Sequence, residues 1–329
     1  MSRCVEKEVA ATFGSGGANP GADAVSTETL WSWRRLWRWP NRVERGVVET
    51  FALETGAAGE ANGAGGANGA GLPVDFYRAR GAAGVAVSTS GGRRAAAVCV
   101  VVVHGGGWDS GDRGQLAAFN HWLAARGVAV AAVSYRLAPT HRWPAQRDDV
   151  RAAVSWVRAN APRLGVDPER LVLLGRSAGA QIAAATAYGE ALPGVRAVVA
   201  LYGCYDLEFV WSIRSATDSL NSDKLMQQFM GGGPEVAGAA EIYRSGSAEK
   251  LVHAGVPPTL ILHGALDQLV WCRHSERLAA ALARAGVRHA FVRLPWATHA
   301  GEANLHGPSG QLITGAVLRV ALSFTEPGR

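Results

Sequence analysis

The sequence has few cysteines, few charged residues and no long apolar run. Its 4 cysteines among 329 residues are widely spaced and form no C-x-x-C pair, which argues against a disulfide framework or a thiolate zinc site. The longest apolar run, residues 95–103, is too short to cross a bilayer, and the first ten residues lack the apolar segment of a signal peptide. We therefore expect a cytoplasmic protein whose thiols are buried.

Charged residues make up 18% of the chain, and the net charge of +6 comes from arginines scattered along it. Nucleic-acid binding would require a basic stripe with aromatic residues beside it, so we expect no nucleic-acid partner. There is also no G-K-[ST] phosphate loop and no G-x-G-x-x-G motif that leads into a helix. The apolar content of 48% is sufficient for one large α/β domain with an insertion.

The first part of the chain lacks the pattern of a packed domain. Residues 1–30 are small, polar and aperiodic, which predicts a disordered tail ahead of a single domain at 31–329. The stretch from Trp31 to Trp39 alternates tryptophan with arginine and could lie in a membrane interface. The favoured interpretation is a short helix packed over the domain, because Pro40 leaves few turns for membrane binding. Residues 56–71, nearly all Gly, Ala, Asn and Glu, predict a flexible loop.

From residue 95 onward, short apolar runs alternate with helical patterns. Such runs, each followed by a helix, predict an α/β fold with a mostly parallel, doubly wound sheet that is buried on both faces. Residues 206–252 break the alternation and predict a lid insertion over the carboxyl edge of the sheet. The predicted strands are 45–53, 73–79, 96–103, 128–135, 171–174, 197–202, 259–263 and 289–294, and the predicted helices are 116–126, 145–161, 178–188, 275–285 and 312–324.

A G-x-S-x-G motif, from Gly175 to Gly179, falls between a predicted strand and a predicted helix. A serine on such a tight turn is lifted clear of the sheet, and the amides at the start of the next helix point toward the same place. The turn tolerates only small residues two positions before and after the serine. Ser177 is therefore the candidate nucleophile.

A serine hydroxyl needs a base, and the base needs a carboxylate that holds it in one tautomer. In doubly wound sheets these groups follow the carboxyl ends of strands. His299 and Asp267 occupy such positions, and the chain order Ser, Asp, His is typical of α/β-hydrolases. Asp206, which follows the preceding strand, is the alternative acid. His263 lies within a strand and is interpreted as a core residue.

Acyl transfer also needs hydrogen-bond donors for the oxyanion. The segment His104-Gly-Gly-Gly-Trp108 directly follows a predicted strand, and its glycines allow backbone amides to turn toward a ligand. We predict an oxyanion hole formed by the amides of Gly105, Gly106 and Ala178. The ring of His104 is expected to bond to the loop backbone instead of reacting.

Together, these motifs resemble the α/β-hydrolase esterases of the hormone-sensitive-lipase-like group over roughly residues 70–325. The segments that carry the resemblance are His104 to Asp112, Ser134 to Pro139, Asp148 to Val150, Gly175 to Gly179, His263 to Asp267 and Pro295 to His299. The resemblance implies a serine esterase with the triad and oxyanion hole named above, without a cofactor or a metal. The chain departs from the group at Arg176, where many relatives have an acidic residue. It also departs after His299, where Ala300 and Gly301 stand in place of a frequent bulky aromatic residue.

We therefore predict a serine carboxylesterase for small-molecule esters with short to medium acyl groups. Trp108 and Trp296 are the predicted substrate-binding residues. Three alternatives stay open at this stage. The first is an arylformamidase or other amidase that uses the same triad, the second is a non-catalytic ligand receptor on the same scaffold, and the third is a lipase anchored to membranes by the segment from Trp31 to Trp39.

Overall fold

The computed structural model describes residues 46–53, 71–80 and 96–324. The predicted tail at 1–30, the Trp/Arg segment and most of the predicted loop at 56–71 lie outside the described residues. Eight strands form one sheet. They are β1 (Val48–Leu53), β2 (Leu72–Tyr77), β3 (Ala97–Val103), β4 (Ala129–Val133), β5 (Val166–Arg176), β6 (Val195–Leu201), β7 (Thr259–Gly264) and β8 (His289–Leu294).

The strands lie in the order β1-β2-β4-β3-β5-β6-β7-β8. β2 is antiparallel to both β1 and β4, and the remaining neighbours are parallel. Because parallel strands share one carboxyl edge, the segments that follow β3, β5, β6, β7 and β8 meet there. The mostly parallel sheet agrees with the prediction.

Nine helices connect or cover the strands of the described part of the chain. They are α1 (Ala117–Ala124), α2 (Ala145–Ala159), α3 (Ala161–Leu164), α4 (Ala178–Gly189), α5 (Leu207–Ile213), α6 (Ser222–Met230), α7 (Ala239–Gly246), α8 (Arg273–Arg284) and α9 (Pro308–Leu322). Short 3-10 turns occupy Ala248–Leu251 and Gly301–Ala303. β5 begins five residues earlier than predicted, because Val166 pairs with Ala97 ahead of the apolar run.

The sheet is buried on both faces, and alternate residues of each strand serve different cores. In β5, Leu171 and Leu173 pack into a core that also contains residues of α2, α4 and α8. Val172 and Leu174 pack on the opposite face with residues of α1 and α9. Burial on both faces explains why the central strands are continuous apolar runs without polar alternation.

Helix α4 lies in the larger core and is buried from Ala178 to Tyr188. Its many alanines let the helix approach the sheet closely, which fixes the position of its first turn just after Ser177. α5, α6 and α7 all lie between β6 and β7, in the segment predicted as an insertion. Among the described residues, no helix combines the length and apolarity needed to cross a membrane.

Candidate active site

Ser177 stands on a strained turn between β5 and α4, with a φ of 52°. The turn requires its two glycines. A Cβ on Gly175 would lie 2.1 Å from the carbonyl oxygen of Gly179, and a Cβ on Gly179 would lie 2.2 Å from that of His104. Strained backbone of this kind persists only where the surrounding structure holds it, and it is frequent at active sites.

The side chains of Ser177, His299 and Asp267 form one hydrogen-bonded chain. His299 Nε2 lies 3.1 Å from Ser177 Oγ, and His299 Nδ1 lies 2.6 Å from Asp267 Oδ2. These residues follow β5, β8 and β7 respectively, so the shared carboxyl edge of the sheet brings them together. With Nδ1–H donating to the carboxylate, Nε2 is the acceptor for the serine hydroxyl proton.

The carboxylate of Asp267 is buried and fully hydrogen-bonded. Its Oδ1 accepts from the backbone N–H groups of Leu269 and Val270, both at 2.9 Å. Burial by itself would raise the pKa of Asp267, but hydrogen bonds from His263 and His299 hold the pKa well below its usual value. Asp267 is therefore ionised throughout the neutral range and can stabilise an imidazolium on His299.

His263 is buried as predicted, and it also contacts this carboxylate. Its Nε2 lies 3.2 Å from Asp267 Oδ2 and 2.9 Å from the carbonyl oxygen of Val270. Its Nδ1 lies 2.7 Å from Ser275 Oγ. Because a carbonyl can only accept, Nε2 of His263 carries a proton. His263 therefore helps to hold the carboxylate of Asp267 in place.

The carboxylate of Asp206, the alternative acid, is hydrogen-bonded to groups other than His299. Its Oδ1 caps α5 by accepting from the N–H groups of Glu208 and Phe209, and its Oδ2 accepts from Arg277 at 2.7 Å. No hydrogen bond of the described residues joins Asp206 to His299. The geometry therefore favours Asp267 over Asp206 as the carboxylate partner of His299.

The glycine segment after β3 lies beside Ser177, but its amides that have no hydrogen-bond acceptor differ from the amides predicted for the oxyanion hole. The N–H of Gly105 donates to Gln115 Oε1 at 2.8 Å, so this amide is not free for an oxyanion, which corrects the prediction for Gly105. Within the described residues, the N–H groups of Gly106, Gly107 and Ala178 donate to no protein group. Gly106 has a φ of 121°, and a Cβ there would lie 2.2 Å from Ser110 O.

His104 has the structural role that the sequence predicts. Its Nδ1–H donates to the carbonyl oxygen of Gly105 at 2.7 Å, and its ring stacks on Tyr135 at 4.1 Å. Burial lowers the pKa of His104, so the imidazole stays neutral near pH 7. His104 therefore stabilises the glycine loop through its hydrogen bond to Gly105.

The two tryptophans predicted to contact substrate have different surroundings. Trp108 lines the cavity above Ser177, where its ring stacks on Phe229 at 4.4 Å. The indole of Trp296 packs on the opposite core and donates to Ser309 Oγ at 3.1 Å, and Trp296 does not line this cavity. Trp108 therefore stays a candidate substrate contact, and the prediction for Trp296 is corrected, because Trp296 packs on the other core and is not among the residues that line this cavity.

The cavity has a volume of about 620 Å³ and includes Ser177 and His299 in its lining. The insertion between β6 and β7 supplies much of the apolar wall, namely Val210, Ile213, Leu220, Leu225 and Met226. Leu269 and Trp271, which follow Asp267, are 40% and 52% exposed and stand at its edge. The cavity is therefore mainly apolar around the serine.

Cys204 also lines the cavity, but it is not a competing nucleophile. It is buried, and burial raises its pKa to about 12, so the thiolate is scarce at neutral pH. Cys99 and Cys272 are likewise buried free thiols. In the part of the chain that the structure describes, no group of three or more His, Cys, Asp or Glu side chains could hold a metal ion.

Gln115, Tyr202 and Glu302 lie near the site and were not found by sequence reasoning. Gln115 holds Gly105, and Glu302 accepts from both Arg176 and Tyr202. Gln115 carries no sequence signal. Glu302 could have been found, because an arginine beside the nucleophile at the end of a buried strand requires an acidic partner.

Comparison with known proteins supports the same architecture. The chain is 32% identical to the esterase LipC of Mycobacterium tuberculosis over 214 residues, which cover 60% of this chain and 51% of LipC. The solved esterase LipW of Mycobacterium marinum is 27% identical with a TM-score of 0.62, over 84% of this chain and 82% of that one. The esterase of Pyrobaculum calidifontis shares the fold, with a TM-score of 0.65 at 22% identity over 87% of this chain and 86% of that one.

The chain spans about half the length of the curated relatives it matches. The BD-FAE family profile matches residues 88–282, which is more than half of the chain. The prediction of an α/β-hydrolase is thereby confirmed. The chain has the α/β-hydrolase fold and belongs to the BD-FAE family.

Proposed function

We propose that this protein is a serine carboxylesterase that hydrolyses small esters through an acyl-enzyme intermediate. The proposal rests on the hydrogen-bonded chain from Asp267 through His299 to Ser177, with distances of 2.6 and 3.1 Å. The buried, ionised Asp267 and the free amides beside Ser177 support it. The esterase names of the relatives LipC and LipW agree with it.

In the first half of the reaction, His299 Nε2 takes the proton of Ser177 as Oγ attacks the ester carbonyl. Asp267 holds Nδ1–H and stabilises the imidazolium that forms. His299 then gives the proton to the leaving alcohol. In the second half, water replaces the alcohol, and the same proton transfers release the acid and restore Ser177.

Negative charge develops on the carbonyl oxygen during both halves. We propose that the N–H groups of Gly106, Gly107 and Ala178 hold this oxyanion, with Gly107 taking the place predicted for Gly105. Each such donor contributes about 3 to 4 kcal/mol to catalysis in enzymes where one has been removed. The left-handed backbone of Gly106 and Gly107 supports this role, because it lets successive amides face one point.

We also propose that residues 206–252 act as a lid and that a short to medium acyl group occupies the apolar part of the cavity. Trp108 and the apolar lid side chains that line the cavity would contact this group. The cavity of about 620 Å³ must hold both the acyl and the alcohol portions. Esters with long acyl chains should therefore fit poorly.

A panel of p-nitrophenyl esters tests this proposal. We expect kcat/KM to be highest between acetate and hexanoate and to fall at least about tenfold for palmitate, because excess methylene groups find no apolar wall. The panel should be run beside N-formylkynurenine, which distinguishes an ester hydrolase from an arylformamidase. A preference for palmitate would contradict the acyl-group proposal, and faster turnover of the formamide would contradict the esterase proposal.

A further inference from the structure

Arg176, the residue directly before Ser177, is a buried charge. It is 1% exposed, and its Nε lies 3.0 Å from Oε1 of Glu302, whose side chain is also inaccessible. Its guanidinium lies over the ring of Phe119 at 4.6 Å. A buried ion pair is weak evidence for stability, because the loss of hydration can exceed the attraction between the charges. We therefore look for a role of this ion pair other than stabilising the fold.

Glu302 connects this pair to the proposed base. It lies three residues after His299, in the 3-10 turn Gly301–Ala303. The same oxygen, Oε1, accepts a hydrogen bond from the hydroxyl of Tyr202. Burial raises the pKa of Tyr202 well above its usual value, and the charge of Glu302 raises it further, so the hydroxyl keeps its proton and donates.

Tyr202 in turn contacts the imidazole. The rings of Tyr202 and His299 meet edge to face, with their centroids 4.6 Å apart. Tyr202 directly follows β6, and its backbone N–H donates to Leu262 O of β7 at 2.8 Å. Arg176, Glu302 and Tyr202 thus join the nucleophile turn, the end of β6 and the loop that carries His299.

An anion-binding subsite is the other role that a buried arginine suggests. The two Nη atoms of Arg176 have no hydrogen-bond partner. Both are shielded from solvent, however, and Nε is already bonded to Glu302. Arg176 is among the residues that line the cavity, but its two Nη atoms are inaccessible, so the geometry favours a positioning role.

We propose that Arg176, Glu302 and Tyr202 form a positioning brace that sets the distance between His299 Nε2 and Ser177 Oγ. The inference rests on the proposed hydrolase function. Asp267 holds Nδ1 of the imidazole, and the brace holds the loop that follows His299. In that loop, Ala300 has a left-handed φ of 56°. Loss of the brace should displace His299 relative to Ser177, and a misplacement of about 1 Å can lower a rate by roughly 100-fold.

The test compares two carboxylate-to-amide substitutions in buried ion pairs. Glu302→Gln changes the brace, and Asp149→Asn changes a pair with Arg136 that is buried at Asp149 and does not line the cavity. The readouts are KM and kcat for p-nitrophenyl butyrate, with kcat calculated per active site as titrated with a fluorophosphonate. We expect Glu302→Gln to lower kcat per titrated site by about 10- to 100-fold with KM within about threefold. Asp149→Asn should lower the melting temperature and leave kcat unchanged.

Two further variants keep the test decisive if Glu302→Gln fails to fold. Arg176→Met/Glu302→Met removes both charges, a replacement that buried pairs often tolerate. Tyr202→Phe removes only the hydroxyl and keeps the ring against His299. We expect both variants to fold and to lose at least about threefold in kcat per titrated site. A kcat within twofold of the wild-type value in either folded variant overturns the brace, whereas a wild-type protein without ester hydrolysis contradicts the proposed function itself.

Discussion

Replacing Ser177 with alanine should lower kcat for p-nitrophenyl butyrate by about 10⁴- to 10⁶-fold. The reason is that Ser177 Oγ lies 3.1 Å from His299 Nε2, so the substitution removes the hydroxyl that the proposed base is placed to deprotonate. The measurement is kcat on purified protein, with circular dichroism and thermal melting to establish that the fold is retained. Because alanine can adopt the same backbone and is smaller than serine, the melting temperature should change little.

A Ser177→Ala variant that retains a tenth of the wild-type activity would contradict the assignment of the nucleophile. The buried Cys204 provides a matched control, because Cys204→Ala removes a thiol that also lines the cavity. Its thiol is protonated at neutral pH, so the substitution should not abolish turnover. Loss of activity in Cys204→Ala with retention in Ser177→Ala would reverse the two roles.

Replacing Asp267 with asparagine should lower kcat by about 10⁴-fold. Asp267 Oδ1 accepts two backbone N–H groups, from Leu269 and Val270, so the amide oxygen of asparagine will occupy that position. The amide NH₂ then faces His299 Nδ1, which must accept instead of donate. This places the imidazole proton on Nε2, where it prevents His299 from taking the proton of Ser177.

Asp206→Asn is the matched control for this prediction. Asp206 is buried, caps α5 and pairs with Arg277, so the substitution should lower the melting temperature while the triad stays intact. Its kcat should stay within twofold of the wild-type value. If Asp206→Asn loses activity while Asp267→Asn keeps it, the acid of the triad is Asp206 and the assignment made from the geometry is wrong.

The sequence predicted the sheet well because its strands are buried on both faces. Continuous runs such as Val98 to Val103 have no polar alternation, and this pattern belongs to parallel sheets covered by helices. The start of β5 was missed because Val166 precedes a polar stretch and joins the sheet only by pairing with Ala97. That pairing is a contact between distant residues, and local composition carries no sign of it.

In the candidate site, positions that depend on chain topology could be predicted, and positions that depend on side-chain packing could not. Ser177, Asp267 and His299 follow strands that share one edge, so their meeting follows from the order of the elements. The bond from Gly105 to Gln115 depends on where one side chain turns within a loop. The direction of Trp296 depends in the same way on the turn after β8.

The most direct measurement is labelling of the intact protein with a fluorophosphonate, followed by mass spectrometry of the modified peptide. A phosphonylated serine marks the nucleophile without any assumption about the natural substrate. We predict one modified site, Ser177, and no labelling when His299 is replaced by alanine, because the serine then lacks its base. Labelling at another residue, or none in the wild-type protein, would contradict the account.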